Sequence, residues 1–274
     1  MRLHLLQTDI AWEDRAANLA RADALLEAAP PSPGAVIVLP EMFDTGFSRD
    51  TTRTADNGDA RRWLADTARR FDCAVLAGVT IAPTPQTMNL ARNRAVLVGR
   101  AGEVVAQYDK IHPFSVGREN ESFSGGDRVV VADLPDDDGP AKVCPLVCYD
   151  LRFPELFRAG RMLGAEVYFV IANWPAPRIG QWRALCIARA IENQAFVVAV
   201  SRVGTDPLTA YAGGSIVVGP KGEVIAEGGD SEGPITTEIA VSEARAWRAK
   251  FRIWQDARPG LLPRLDAQGR FPAD

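Results

Sequence analysis

The stretch AKVCPLVCYDLRFPELFR (141–158) joins an apolar run to an amphipathic run through a cysteine. Residues 143–147 predict a buried strand, and residues 153–163 predict a helix with Pro154 in its first turn. Cys148 then lies at the corner between strand and helix. Functional side chains of α/β folds gather at the carboxyl ends of strands. Cys148 is therefore a candidate nucleophile, although a cysteine can equally pack there as a small apolar residue.

The composition is that of an ordinary globular protein. The chain has 274 residues, of which 47% are hydrophobic and 24% charged, and its net charge is -4, so it can bury a sizeable core. The acidic balance argues against nucleic acid or an anionic membrane as a partner, because both require a basic surface. No apolar run approaches the ~20 residues that cross a bilayer, and the start lacks a signal-peptide pattern. We therefore expect a cytoplasmic protein.

Cysteines and histidines limit the covalent and metal chemistry. Four cysteines in a chain of this length do not form a disulfide framework. Cys144 and Cys148 have no second Cys or His pair nearby, and the sequence contains two histidines, His4 and His112, so a zinc site is not expected. We predict that the protein uses no metal and no cofactor. Buried, unreactive thiols are expected at Cys73, Cys144 and Cys186.

Strand-like and helix-like runs alternate along the chain, which is typical of an α/β architecture with helices covering the sheets. Strands are predicted at 2–10, 34–41, 73–81, 166–174 and 195–203. Helices are predicted at 14–29, 58–71 and 181–194. Nothing between these runs resembles a flexible linker, so we expect a single domain over residues 1–274. A C-terminal tail from about residue 256 should lie on the surface or against a partner chain.

Two nearly identical phrases stand 120 residues apart, VLVGRAGEVVAQ (96–107) and IVVGPKGEVIAE (216–227). Each predicts a β-hairpin whose turn requires a positive φ at a glycine, Gly102 or Gly222. Two explanations remain open at this point. The hairpins either share turn chemistry alone, or belong to two similar halves that each contribute a sheet.

Glu41 and Lys110 also follow predicted strands, in AVIVLPE and EVVAQYDK. A nucleophilic cysteine needs its thiolate stabilised or its proton removed as it attacks. A partly desolvated carboxylate is a suitable base, and an ammonium can stabilise negative charge. Because charged residues commonly close strands, spacing alone also allows a purely structural role.

Three blocks of the sequence resemble the signature blocks of the nitrilase superfamily, the carbon–nitrogen hydrolases. They are LPEMFDTGF (39–47), YDKIHPF (108–114) and CYDLRFPELFR (148–158), in the family's order and at its approximate spacing. ANWPAPR (172–178) and ARAIENQAFVV (188–198) are similar to later segments of the family. The first of these two and the tail RAKFRIWQDA look closest to the omega-amidase branch.

The resemblance implies an α/β fold with a four-layer αββα sandwich, in which two mainly β sheets lie face to face between helices. It also implies that subunits associate, commonly as homodimers that extend the sandwich. By the same resemblance Glu41 is the general base, Cys148 the nucleophile, and Lys110 with the backbone N–H of Tyr149 the oxyanion stabilisers. Glu119 falls where the family carries a supporting second glutamate, although Glu121 is close to it.

A carboxylate-bearing substrate would require a cationic group in the pocket. Arg178 is the first candidate, followed by Arg118 and Arg152, and each could instead form a structural salt bridge. For Arg152 we favour such a bridge with the neighbouring Asp150. Phe43 and Trp174 flank strand ends and could wall the pocket, or could simply pack in the core.

The sequence thus predicts a hydrolase of a small carboxamide that acts through a cysteine thioester. The favoured activity is that of an omega-amidase, which converts a 2-oxo acid omega-amide such as 2-oxoglutaramate or 2-oxosuccinamate to the 2-oxo acid and ammonia. Another superfamily branch, acting on a nitrile, a carbamoyl amine or a modified amide, is the alternative. A non-catalytic relative that binds a small amide or acts through protein contacts is the alternative from another class.

Overall fold

The structure, a computed structural model, describes residues 1–261, 264–266 and 268–271. Its strands are β1 (Arg2–Gln7), β2 (Val36–Val38), β3 (Ala74–Ile81), β4 (Arg92–Val98), β5 (Val104–Asp109), β6 (Ala132–Leu134), β7 (Ala141–Val147), β8 (Val167–Ala172), β9 (Phe196–Ser201), β10 (Val203–Thr205), β11 (Ala210–Ala212), β12 (Ile216–Val218), β13 (Val224–Glu227) and β14 (Gly233–Glu238). Its helices are α1 (Arg15–Ala28), α2 (Thr51–Thr54), α3 (Asp59–Phe71), α4 (Pro154–Met162), α5 (Ile179–Asn193) and α6 (Val241–Lys250).

Two six-stranded sheets repeat one topology. The first has the order β14-β1-β2-β3-β4-β5, and the second, read from its β6 edge, has the order β6-β7-β8-β9-β12-β13. In each, the second, third and fourth strands are parallel and the others antiparallel. The chain therefore has two similar halves that each contribute a sheet, which confirms the second explanation of the two nearly identical phrases. The two echoing phrases form the hairpins β4–β5 and β12–β13, whose turns place Gly102 and Gly222 at φ of 85° and 91°.

The sheets lie face to face around a shared apolar core. Alternate residues of β1 divide between two layers: Leu3 and Leu5 pack in the same cluster as Val198 and Val217 of the second sheet, whereas Leu6 faces outward. This alternation is the two-residue period of a strand. The predicted four-layer αββα sandwich is confirmed.

Helices close both outer faces. Leu26 of α1 and Leu64 of α3 pack on the outer side of the first sheet. Phe157 of α4 and Trp182 of α5 pack against the second. Helix α1 begins at Asp14, whose carboxylate accepts the N–H of Ala17 at 3.0 Å, as an N-cap does. No helix in the described part of the chain has the length and apolarity needed to cross a bilayer.

The predicted strand and helix boundaries differ from the structure by a few residues, most of all at the second strand. Strand β2 is shorter than the predicted 34–41, because Pro40 cannot continue the ladder and the chain turns at Met42 with φ of 44°. The predicted tail from 256 is mostly exposed where described, and it returns to the body through a bridge between Arg128 and Arg270. Its residues 262, 263, 267 and 272–274 lie outside the described residues.

Candidate active site

Three buried charges meet between the two sheets. Lys110, just after β5, donates to Glu41 Oε1 at 2.8 Å and to Glu119 Oε2 at 2.9 Å. The side chains of all three residues are at most 1% exposed. Two carboxylates without a cation would be costly to bury, so the ammonium holds the pair in place. Of the two neighbouring glutamates the structure brings Glu119 into this cluster, whereas Glu121 pairs with Arg118 at the surface.

Burial and mutual charge set the protonation of this cluster. Burial by itself disfavours the ammonium of Lys110, but the charges of Glu119 and Glu41 outweigh burial and raise the pKa of Lys110 well above its ordinary value. Burial likewise raises the pKa of Glu119, against the opposing charge of Lys110. For Cys148, burial and then the charge of Glu41 raise the pKa of the thiol well above its ordinary value. The thiol is therefore protonated at neutral pH and needs a base as it attacks.

Cys148 occupies the corner predicted from the sequence. It follows β7 directly and begins a 3₁₀ turn over Cys148–Arg152, with a left-handed φ of 47°. Such a φ is unfavourable for a residue with a Cβ and persists where the surroundings enforce it. The first N–H groups of a helical turn have no acceptor within the turn, which leaves the N–H of Tyr149, at the second position, directed away from the turn's own carbonyls.

Two asparagines that the sequence analysis missed complete the cluster. Asn93 on β4 donates through Nδ2 to Glu41 Oε1 at 2.7 Å and to Glu119 Oε1 at 2.9 Å. Asn173, just after β8, donates its backbone N–H to Glu41 Oε2 at 2.9 Å, and the Cys148 thiol lies 3.8 Å from its carbonyl oxygen. Asparagine is uncommon inside strands, so Asn93 within ARNRAVLV was the available signal.

A glycine lets Glu41 approach the sheet. A Cβ added to Gly78 on β3 would lie 2.7 Å from Glu41 Cα and 2.8 Å from the Met42 backbone nitrogen. The backbone of Phe43 also donates to the Gly78 carbonyl at 3.1 Å. The position of the carboxylate thus depends on a close contact between two main chains, which a side chain would block.

A cavity of about 170 Å³ opens onto Cys148, smaller than the ~300–1,000 Å³ of drug-sized ligand sites. Cys148, Lys110 and Asn173 form one part of its wall. The remaining lining residues are mainly aromatic, aliphatic or cationic: Phe47, Phe114, Gly117, Tyr149, Arg152, Trp174, Pro175, Arg178, Asp206, Leu208, Thr209 and Tyr211. Such a cavity suits a small molecule with an apolar middle and an anionic end.

Arg178 and Trp174 lie where the sequence analysis placed them, in the cavity wall. The Arg178 guanidinium carbon is 5.6 Å from the centre of the Phe114 ring. The indole N–H of Trp174 donates to the Arg178 carbonyl at 2.9 Å, which fixes the start of α5. Within the described residues, no carboxylate lies within ion-pair distance of Arg178. Its charge is therefore free to meet a ligand.

Three sequence-based assignments in this region are corrected. Phe43 does not reach the cavity: it is 2% exposed and packs against Trp63 at 5.3 Å, because the turn after Glu41 directs Phe47 there instead. Arg118 pairs with Glu121 at 2.7 Å outside the cavity lining. The Arg152 side chain does not pair with Asp150.

Arg152 instead lines the cavity. Its Nη2 donates to Gln181 Oε1 at 2.7 Å, and its guanidinium carbon lies 4.9 Å from the Trp174 ring centre. The other three cysteines are buried free thiols, as predicted. His112 is a hydrogen-bonding residue: its Nδ1 lies 3.0 Å from Asp150 Oδ1. In the described ranges no three His, Cys, Asp or Glu side chains are grouped to hold a metal ion.

Comparison with known proteins identifies the class to which this fold belongs. The carbon-nitrogen hydrolase family profile matches residues 2–249, so the chain belongs to that family. It is a hydrolase acting on carbon–nitrogen bonds other than peptide bonds. A carbon–nitrogen hydrolase superfamily protein from Xanthomonas campestris, with an arsenic adduct in its active site, superposes with a TM-score of 0.86 at 31% identity. The match covers 96% of this chain and 98% of that one.

Two relatives carry a more specific description. A 2-oxoglutaramate amidase from Bacillus subtilis is 34% identical over 260 residues, covering 93% of this chain and 97% of the relative. An omega-amidase from Escherichia coli is 36% identical over 260 residues, covering 94% and 96% respectively. The resemblance to the nitrilase superfamily and its omega-amidase branch is confirmed.

Proposed function

We propose that this enzyme is an omega-amidase that hydrolyses the terminal carboxamide of a 2-oxo acid, such as 2-oxoglutaramate or 2-oxosuccinamate, through a thioester on Cys148. The observation that carries the proposal is a single small cavity lined by both the Cys148 thiol and the Arg178 guanidinium. Such a cavity can hold an amide at one end and a carboxylate at the other. The names of the B. subtilis and E. coli relatives support the same substrate class.

In the first half-reaction the sulfur of Cys148 attacks the amide carbon as Glu41 takes the thiol proton. The oxygen of the tetrahedral intermediate is stabilised by Lys110 and the N–H of Tyr149, and one such donor is typically worth ~10²–10³ in rate. Protonated Glu41 then gives its proton to the leaving nitrogen. Ammonia departs and the acyl group remains on sulfur.

In the second half-reaction water attacks the thioester carbon. Glu41, again ionised, accepts a proton from the water and returns it to the departing sulfur, so that the acid and the free thiol are regenerated. Glu119 holds Lys110 and Asn93 in place and lies beside Glu41, which suits it to position the substrate or the water. Because all three charges are buried, their fields act on the reacting atoms with little screening.

The other end of the cavity suits a carboxylate. Arg178 and Arg152 both line the cavity, and each guanidinium carbon lies within 5.6 Å of the centre of an aromatic ring. A guanidinium can bind a carboxylate through two parallel hydrogen bonds. Phe47 and Trp174 also line the cavity, and their apolar rings suit the short carbon chain of the substrate.

Asp206 supports one rival substrate, a carbamoyl amine. Its carboxylate lines the same cavity and would attract an ammonium group rather than a carboxylate. However, Asp206 already accepts hydrogen bonds from Tyr211 Oη and from the backbone N–H groups of Leu208 and Thr209. Since these donors occupy its oxygens, we favour the 2-oxo acid amide.

The test is ammonia release from a panel of 2-oxoglutaramate, 2-oxosuccinamate, glutamine, an aliphatic amide, a nitrile and a carbamoyl amine, with Cys148→Ala as the control. We expect rapid turnover of the 2-oxo acid amides that Cys148→Ala abolishes. Glutamine matches 2-oxoglutaramate except for its α-ammonium, so it isolates the role of the 2-oxo group. Turnover confined to the nitrile or the carbamoyl amine would reject the omega-amidase assignment, as would turnover that survives in Cys148→Ala.

The proposal includes where and how the enzyme acts: as a homodimer in the cytoplasm, with a small-molecule amide as partner and neither nucleic acid nor membrane. Four free cysteines suit a reducing compartment, and a net charge of -4 does not favour polyanion binding. Light scattering of the purified enzyme would give the mass directly. A monomeric mass at micromolar concentration would contradict the dimer.

A further inference from the structure

We propose that Asp150 is a positioning residue that fixes the distance between Cys148 and Lys110. The inference rests on the roles given to these two residues in the proposed function. Asp150 touches neither the substrate cavity nor the reacting atoms. Its carboxylate instead joins the backbone segment that carries the thiol to the segment that carries the ammonium.

Asp150 is 0% exposed, and both of its oxygens are used. Oδ2 accepts the Tyr108 hydroxyl at 2.8 Å and the Val147 N–H at 3.2 Å. Oδ1 accepts the His112 N–H at 3.0 Å and lies 3.0 Å from His112 Nδ1. A carboxylate oxygen only accepts, so Nδ1 carries the proton in this pair.

The sequence positions of these partners give the carboxylate its role. Tyr108 and His112 are the residues two before and two after Lys110. Val147 directly precedes Cys148, and Asp150 follows it by two. The three hydrogen bonds from Tyr108 and His112 therefore connect the segment around Lys110 to the left-handed corner at Cys148, across the boundary between the two sheets. The fourth, from Val147, lies within the corner itself.

Neighbouring contacts make this connection rigid. The His112 ring stacks on Phe153 with ring centres 3.6 Å apart and planes 8° apart, so the imidazole cannot turn away from Asp150. Tyr108 is fully buried in the core between the sheets. Arg152, the nearest arginine in sequence, is engaged with Gln181 and does not compete for the carboxylate.

A positioning role predicts a specific kinetic signature. In Asp150→Asn an amide NH2 group replaces one of the two carboxylate oxygens. That group cannot accept a hydrogen bond, so the connection to either Tyr108 or His112 is lost. Displacing a reacting group by ~1 Å can cost on the order of 10²-fold in rate. We expect kcat to fall by about that factor with KM changing far less. We also expect the pH midpoint of Cys148 alkylation by iodoacetamide to rise, because the thiolate moves away from Lys110.

Milder variants keep the test decisive if Asp150→Asn does not fold. Tyr108→Phe removes one hydrogen bond and keeps the ring. His112→Leu removes the imidazole donor, whereas His112→Asn places an amide N–H where Nδ1 was. We expect His112→Leu to slow alkylation and turnover, and His112→Asn to restore much of both.

Glu166→Gln is the matched structural control. Glu166 is also a buried carboxylate, 8% exposed, that accepts a backbone N–H from Lys142 and pairs with Arg245. It lies at the start of β8, opposite the end that leads to Asn173. We expect the Glu166→Gln substitution to lower the melting temperature of the protein without moving the pH profile of Cys148 alkylation.

The outcomes separate this inference from the proposed function. Alkylation of Cys148 does not depend on the substrate, so it reports on Asp150 even if no amide of the panel is hydrolysed. An alkylation profile that moves in the Asp150 and His112→Leu variants but not in Glu166→Gln supports the positioning role. An unchanged profile in the folded variants, or an equal change in Glu166→Gln, would overturn it.

Discussion

Asn173 and Glu41 are joined by three hydrogen bonds across the two sheets. The backbone N–H of Asn173 donates to Glu41 Oε2 at 2.9 Å, while its side-chain Nδ2 donates to the Glu41 carbonyl at 2.8 Å and to Oε2 at 3.3 Å. The two residues follow β2 and β8, the third strands of the repeated topology. Glu41 is thus held by the residue that follows the corresponding strand in the other half of the chain. There it lies near the Cys148 thiol, whose proton it is proposed to take.

Replacing Glu41 with Gln should separate turnover from thiol reactivity. The charge of Glu41 raises the pKa of Cys148 after burial, and Lys110 opposes it. Without that charge the pKa of the thiol should fall, so we expect its alkylation profile to move to lower pH. Ammonia release should fall by ~10²–10⁴, the usual contribution of a general base. A profile that moves to higher pH, or turnover that is retained, would contradict this assignment.

Gly78→Ala should displace the base without touching the substrate. The added methyl group would meet the backbone of Glu41 and Met42 at 2.7 and 2.8 Å, and main chain cannot move aside as a flexible side chain does. We expect kcat to fall on the order of 10²-fold and the protein to lose about 1–3 kcal/mol of stability.

Gly180→Ala is the control for that experiment. Gly180 lies in the first turn of α5, and a Cβ there would meet nothing within 4 Å. Because alanine has the higher helix propensity, this variant should be as stable as the parent or slightly more so. If both glycine variants kept full activity, the close approach at Gly78 would have no bearing on catalysis.

Arg178→Met should change specificity rather than chemistry. The loss of a charge-assisted hydrogen bond, about 1.5–3 kcal/mol, should raise KM for 2-oxoglutaramate roughly 10–100-fold. Hydrolysis of an uncharged aliphatic amide should change little. Arg118→Met, at an exposed arginine paired with Glu121, is the control and should affect neither substrate. Equal losses on charged and uncharged amides would show that Arg178 does not bind the carboxylate.

Asp44 should make part of the folding stability depend on pH. Burial, opposed by Arg15 at 2.7 Å, raises the pKa of this carboxyl from 3.8 to about 6. Because the folded state binds this proton more tightly than the unfolded state does, the contribution of Asp44 to the free energy of unfolding is largest at low pH and is lost as the pH rises through 6. Between pH 5 and 7 it amounts to about 1 kcal/mol.

The difference between the parent and Asp44→Asn isolates this contribution. Urea unfolding of both proteins at pH 5 and pH 7 removes the titration of all other groups by subtraction. We expect the parent to lose about 1 kcal/mol relative to Asp44→Asn over this interval. A parent whose stability relative to Asp44→Asn does not change between pH 5 and pH 7 would show that the carboxyl is already ionised in the folded state at pH 5, and would contradict the raised pKa.

Strand ends were predictable from the sequence because apolar runs and their closing residues are local features. Glu41, Lys110 and Cys148 each close such a run, and the structure brings all three together. Asn93 was missed because it lies inside a strand, where its role depends on which strands are neighbours. That information is long-range and is absent from local periodicity.

The pocket was harder to predict because it is built by turns. Phe43 and Phe47 are both aromatic residues just after Glu41, and the left-handed Met42 decides which of them faces the cavity. Arg152 follows Asp150 by two residues and would face it in an extended chain. The 3₁₀ turn separates them, since residues two apart do not share a face in a helical turn.

Because β14 is made last, the first sheet can be completed only late in synthesis of the chain. It pairs with β1, so the first residues of the protein have an outer neighbour only when residues 233–238 have been made. The base and the cation come from the first-made part of the chain and the thiol from the later part. A ribosome-bound nascent chain that lacks β14 therefore already contains every strand of the second sheet, which leads to Cys148, whereas the first sheet, which leads to Glu41 and Lys110, still lacks its edge strand.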